Sequence, residues 1–277
     1  MVDFEKIHEK STTDVVINGE LRKKIEPMID KWIKDNCRGL KYELDEYLTI
    51  HTNEQVFITD ENLVRLPDYI HFGVCDKFVF LNCIKLETLE GGPTECKEFS
   101  CNGCIALKSF DHCPVKCDEF HCAGCGIFDL TPLPRKLRVL GFGFNASTEI
   151  DIIGCPDEIE TLDIGYTQFE KIQGIENCKI TNLQMSYNQV IQELSNLPAC
   201  VQTLEITHCK KLVNIFNQPL TLKKLTIFKS DNIAVPSEPS ENPVIITDII
   251  DYDPAQFSNI QKLIELNYLK VLKMNDF

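Results

Sequence analysis

The stretch CKEFSCNGC, Cys96–Cys104, has a near copy in CDEFHCAGC, Cys117–Cys125, and both belong to a longer series. Working outward, CDKFVFLNC starts at Cys75 and LRVLGFGFN at Leu137. Then follow IETLDIGYT from Ile159, ITNLQMSYN from Ile180, VQTLEITHC from Val201 and LKKLTIFKS from Leu222. The starts lie 20 to 22 residues apart. Each segment has apolar residues at its first, fourth and sixth places, and Asn, Cys, Thr or Ser at its ninth. A weaker unit fits from Glu54, with Phe57 fourth and Asn62 ninth.

Side chains two apart on a strand share a face. The fourth-place column (Phe78, Phe99, Phe120, Leu140, Leu162, Leu183, Leu204, Leu225) and the sixth-place column therefore point to one interior. No single unit buries such a face alone; stacked units do. A period near 21 with one short strand per unit is the leucine-rich-repeat pattern. It predicts an α/β solenoid, a horseshoe with a parallel sheet on its concave side. The rest of each unit is too short for a long helix and carries Pro93, Pro114, Pro134, Pro156, Pro198 or Pro219. The convex side is therefore expected to be turns and extended segments, anchored by Leu86, Leu89, Leu107, Phe110, Leu212 and Ile215. At the ninth place, Asn62, Asn145 and Asn188 can satisfy turn backbone, and Cys83, Cys104, Cys125 and Cys209 can pack as small hydrophobes.

Both ends need covers. Residues 1–53 read as an N-terminal cap. Leu21, Ile25, Met28, Ile29, Trp32 and Ile33 recur at helical spacing, from Asn18 or Gly19 to about Gly39. YLTIHTNEQVFITDENLVRLP reads as two strands and a turn. The solenoid spans 54–234. Residues 235–277 read as a Pro/Ser-rich linker, a strand in IITDII, and a capping helix started by Asp253 and Pro254.

The chain has 277 residues, 43% hydrophobic, with net charge −14. It shows no basic stripe of the kind nucleic acid requires, no run of membrane-spanning length and no signal peptide. Acidity favours a basic or neutral protein partner. The expected state is a cytoplasmic monomer.

Fourteen cysteines include Cys101–Cys104 and Cys122–Cys125, a pair of CxxC motifs with zinc-like spacing. The repeat frame places them at inward sixth and ninth places, as core thiols. Stacked Cys75, Cys96 and Cys117 are within bridging reach, but reduced thiols are expected without secretion. His121 and Cys122 point to opposite faces, so no Cys–His nucleophile forms. The glycosylation triplet at Asn145 starts on an inward residue. No phosphate loop and no paired carboxylates stand out. No catalytic residue, metal or cofactor is therefore expected.

The second, third, fifth, seventh and eighth places are expected to face solvent. The eighth carries Phe144, Tyr166, Tyr187 and His208, and the fifth carries Asp163, Gln184 and Glu205. Two readings of the aromatic run stay open: a partner footprint of hot-spot residues, or a ladder that packs on itself. Small residues between the two columns, such as Gly143 and Gly165, suggest close approach by a partner's backbone.

NLVRLPDYIHFGVCDKFVFLNC, LETLEGGPTECKEFSCNGC and LKSFDHCPVKCDEFHCAGC resemble leucine-rich-repeat proteins of T4-like tailed phages. That family resembles an L-x-SLEG-x-P segment followed by F-x-C-x-x-N. Leu86, Leu89, Glu90, Gly91 and Pro93 match the first element; Phe99, Cys101 and Cys104 match the second. The resemblance covers about residues 40 to 230 and is best before 135. Beyond that the repeats drift to a generic form with Leu at the fourth place. FNQPL at Phe216 is similar to the FNIP repeats of amoebae and giant viruses, in one copy. The resemblance implies a viral source and no activity. The expected function is non-catalytic binding of a host or viral protein through the concave face, inhibiting a host enzyme or defence system. The alternatives are a virion structural or assembly component and a substrate-recognition adaptor.

Overall fold

A computed structural model describes residue 17 and residues 19–144, 149–194, 197–213, 219, 221–228 and 230, with the backbone of three short strands between 244 and 271. The chain is a β-solenoid in two compact units. The first takes in the described residues up to Ile127 with 132–134, and the second takes in 128–131 and those from Arg135 on.

The first unit opens with helix α1, Gly19–Asn36, whose Ile25, Ile29 and Ile33 are buried. These lie four apart, on one helical stripe. Met28 is 42% exposed, outside that stripe. Strands β1 (Glu43–Leu44) and β2 (Ile50–His51) pair antiparallel. Arg22 Nη1 donates to the Asp45 carbonyl between them. The repeat strands β3 (Gln55–Ile58), β4 (Val74–Phe80), β5 (Glu95–Ser100) and β6 (Glu119–His121) follow. They pair parallel and in sequence order. The two strands expected in YLTIHTNEQVFITDENLVRLP are thus β2 and β3, but they do not pair with one another.

In the second unit β7 (Lys136–Gly141), β9 (Glu158–Asp163), β11 (Lys179–Ser186), β12 (Thr203–Thr207) and β13 (Lys224–Phe228) form the same kind of parallel ladder. β15 (Asp248–Ile250) joins beside β13. β14 (Val244–Ile246) pairs instead with β16 (Leu269–Val271). IITDII is therefore shared between two strands with different neighbours. The start of the helix expected at Asp253–Pro254 lies outside the described residues, and at 269–271, where that helix is expected to continue, the chain is strand β16. Asn145, Ile215 and all of FNQPL except Pro219 also lie outside the described residues.

Register runs place to place. Phe78 faces Phe99, Phe99 faces Phe120, and Leu162, Leu183, Leu204 and Leu225 face one another in turn. All of these are buried at 0–1% exposure. Phe99 stacks between Phe78 (centroids 6.1 Å) and Phe120 (5.2 Å).

The earliest repeat is a correction. Val56, not Phe57, faces Phe78. Val56 and Ile58 are buried while Phe57 is 47% exposed, so this repeat starts one residue earlier than the sequence reading from Glu54. A slip of one exchanges the two faces of a strand. Alternation alone favoured Phe57 because it is the larger apolar residue. Asn62 accordingly lies at the surface, where its Oδ1 accepts from Lys85 Nζ.

The side opposite the sheet is more regular than expected. β8 (Glu149–Asp151) and β10 (Lys171–Gln173) form a second, two-stranded parallel ladder. At its end Gly174 has φ +86°, where an added Cβ would lie 1.9 Å from the Ile152 carbonyl oxygen. The expected anchors Leu86, Leu89, Leu107, Phe110 and Leu212 are all buried.

Candidate functional site

In the seven repeats that start from Cys75 to Val201, the eighth place is where the backbone leaves the strand, and it does so through positive φ. Asn82, Gly103 and Gly124 have φ of 53°, 74° and 74° in the first unit. Phe144, Tyr166, Tyr187 and His208 have 57°, 55°, 55° and 56° in the second. Asn and Gly enter this region at little cost, whereas other L-residues lose roughly 1–2 kcal/mol there. The bonding around the turn holds the aromatic residues in it. The N–H groups of Phe144, Tyr166 and Tyr187 donate to the seventh-place carbonyls of Gly165, Ser186 and Thr207 on the following turn, at 2.9, 2.6 and 2.9 Å. Gln168 Nε2 donates to the Tyr187 carbonyl (3.3 Å) and Gln189 Nε2 to the His208 carbonyl (2.6 Å). Each such clamp joins a tenth-place glutamine to the eighth place one turn on. The signal for it was present in Tyr-Thr-Gln and Tyr-Asn-Gln, and the sequence reading missed it.

The four rings form one column. Centroids lie 4.4, 4.4 and 4.2 Å apart, and neighbouring planes differ by 6°, 11° and 8°. Phe144 is 61% exposed, Tyr166 45% and Tyr187 37%. The ladder, one of the two readings left open for this run, is therefore present, with Phe144, Tyr166 and Tyr187 exposed and His208 half-buried. The fifth-place row is also assembled: Asp163 faces Gln184 and Gln184 faces Glu205 on adjacent strands. Gln184 Nε2 donates to Glu205 Oε2 (3.2 Å), and Asp163 Oδ1 accepts from the Gly165 N–H (2.9 Å).

The small residues between the columns have another cause than the one expected. Gly143 and Gly165 are buried. A Cβ on Gly143 would lie 2.3 Å from the Gly165 carbonyl oxygen, and one on Gly165 would lie 2.5 Å from Ser186 Oγ. They are small because neighbouring strands approach there. Gly143→Ala is accordingly expected to cost about 1–3 kcal/mol through overpacking against fixed backbone, measured by urea unfolding. Val79 and Ser100 also depart from expectation. Both are fifth-place residues at 5–6% exposure rather than open surface, and they face one another on β4 and β5.

All fourteen cysteines are free thiols, and all but Cys200 are buried. Burial pushes Cys113 up to about 12 and Cys209 up to about 11. Cys101 and Cys122 are raised well above the ordinary thiol range, first by burial. The ninth-place thiols are more than filler. Cys83, Cys104, Cys125 and Cys209 donate S–H to the sixth-place carbonyls of Ile58, Phe80, Cys101 and Met185 on the preceding turn, at 3.4, 3.7, 3.0 and 3.9 Å. The CxxC sulfurs meet in two ways, between unlike places at Cys101 and Cys125 and between like ninth places at Cys83 and Cys104. Cys125 lies 3.8 Å from Cys101, and Cys104 pairs with Cys83. Among the described residues no group of three or more His, Cys, Asp or Glu is arranged to hold a metal. No described helix is long and apolar enough to cross a membrane.

No family model, curated protein or solved structure matches this chain.

Proposed function

We propose that the chain is a non-catalytic protein-binding module, and that the second unit engages its partner through the aromatic column and the adjacent Asp163–Gln184–Glu205 row. One observation carries this reading. Three exposed aromatic residues and a histidine occupy left-handed backbone positions where the first unit has Asn or Gly. Stability alone favours Asn or Gly at such positions. Exposed aromatics on a rigid scaffold supply large contact area at low entropic cost, and aromatic residues are enriched among binding hot spots. The fifth-place row adds carboxylates and an amide, the polar contacts that set orientation.

The mutual stacking supports a second reading, in which the rings only seal the turn ends of their own sheet. One experiment separates the two. Tyr166→Asn/Tyr187→Asn copies the residue type that Asn82 supplies in the first unit. Losing the stacks removes about 0.5–1.5 kcal/mol per pair, while relieving the left-handed strain returns a similar amount. The melting temperature is therefore expected to change little. In affinity capture, recovery of a specific partner is expected to fall at least about tenfold, as for loss of hot-spot residues. Equal recovery by wild type and variant removes the column from the binding surface and leaves the sealing role.

A further inference from the structure

The first-place column of the first unit brings three thiols into line: Cys75, Cys96 and Cys117. Cys75 faces Cys96 across β4 and β5. Cys96 and Cys117 hold equivalent places one turn apart, between the bridge Glu95–Lys116 and the facing pair Glu98–Glu119. Parallel strands lie about 4.8 Å apart, inside the roughly 4.4–6.8 Å that a disulfide spans between Cα atoms. The Cys96 S–H points at the Cys117 sulfur, 4.0 Å away, and Cys75 is the other thiol against Cys96. The three residues keep 4–7% exposure, unlike Cys83, Cys101 and Cys104 at 0%. Cys101 and Cys125 also lie close, at 3.8 Å, but they occupy different places of their turns and are not facing residues.

We propose that Cys96 and Cys117 are a peroxide-responsive pair, which oxidises to a reversible disulfide that clasps two successive turns. The oxidant is hydrogen peroxide, small enough to reach a nearly buried sulfur. The Cys117 sulfur attacks one peroxide oxygen, the O–O bond breaks, and the leaving hydroxide takes the thiol proton as water. Cys96, whose S–H already faces Cys117, then attacks the sulfenic sulfur. The S–O bond breaks, and the hydroxyl leaves with the Cys96 proton as a second water. Two electrons pass from the two sulfurs to one peroxide. Cys75, adjacent to Cys96, is placed to reopen the bond by exchange when a thiol reductant regenerates it.

The test treats the folded full chain with hydrogen peroxide, alkylates it in denaturant and maps the peptides. The expected result is two fewer reactive thiols than the 14 of the reduced chain and a mass lower by two hydrogens. One peptide should join Cys96 to Cys117, dithiothreitol should undo it, and amide exchange across β4–β6 should slow while it exists. Cys96→Ser should abolish the cross-link. Should that variant not fold, the wild-type peptide map decides alone. Full retention of thiols overturns the proposal, as does oxygen added to Cys117 without a cross-link, or a cross-link confined to Cys101–Cys125 or Cys83–Cys104.

Discussion

Phe99→Ala is expected to lower the free energy of unfolding by about 3–5 kcal/mol, seen as an earlier urea midpoint with an unchanged slope. Phe99 is fully buried. It stacks on Phe78 and Phe120 and meets Phe80 edge-on at 6.3 Å. Removing the ring takes away contacts with the turn before and the turn after together. Parallel strands held in register on both sides cannot collapse into the cavity, so relaxation is small. The informative companion is Phe57→Ala. That ring is about half exposed, and Lys77 Nζ lies 6.0 Å from its centroid. Its loss is expected to cost under about 1 kcal/mol. A costly Phe57→Ala with a cheap Val56→Ala would reverse the register described for β3.

Asn188→Ala is expected to cost about 3 kcal/mol or more, nearly as much as a core ring, although the residue is polar. Its side chain is fully buried and makes three bonds. Nδ2 donates to the Phe169 carbonyl (3.0 Å), and Oδ1 accepts from the Val190 and Ile191 N–H groups (2.8 and 2.9 Å). Each buried polar group left without a partner costs about 1–3 kcal/mol. In the cysteine-bearing repeats the corresponding N–H of Leu86, Leu107 or Leu212 reaches the main-chain carbonyl of Cys83, Cys104 or Cys209 instead. Asn188 thus closes its turn with a side chain where those repeats use backbone. Urea unfolding measures the loss, and hydrogen exchange at Val190 and Ile191 should accelerate. A cost below about 1 kcal/mol would mean that water takes over all three bonds.

The repeat frame was legible because 21-residue spacing and the first, fourth and sixth places recur seven times with little variation. That was enough to specify a parallel sheet and its buried columns. It failed at β3, where Phe57 mimics an inward residue and no well-formed repeat precedes it to set the phase. The aromatic column was legible as a set of residues but not as a geometry. Nothing in the letters Phe, Tyr or His announces a left-handed backbone; only Asn82, Gly103 and Gly124 at the same place hint at one. Gly143 and Gly165 were misjudged for a related reason. A glycine reads the same whether it makes room for a ligand or for the next strand, and only the 2.3 Å approach to a neighbouring carbonyl decides it. The β8–β10 ladder was hidden because three-residue strands leave too few alternations to register.

Because like faces like from turn to turn, with Ile180 against Ile159 and Leu204 against Leu183, the chain can change length in quanta. Excising one complete coil of the second unit brings Ile159, Leu162 and Ile164 against Val201, Leu204 and Ile206, and none of these three buried columns changes chemistry at the seam. Gene duplication or slippage in whole-coil steps is thus nearly silent for folding, while a step of any other size within a strand shifts every column downstream of it.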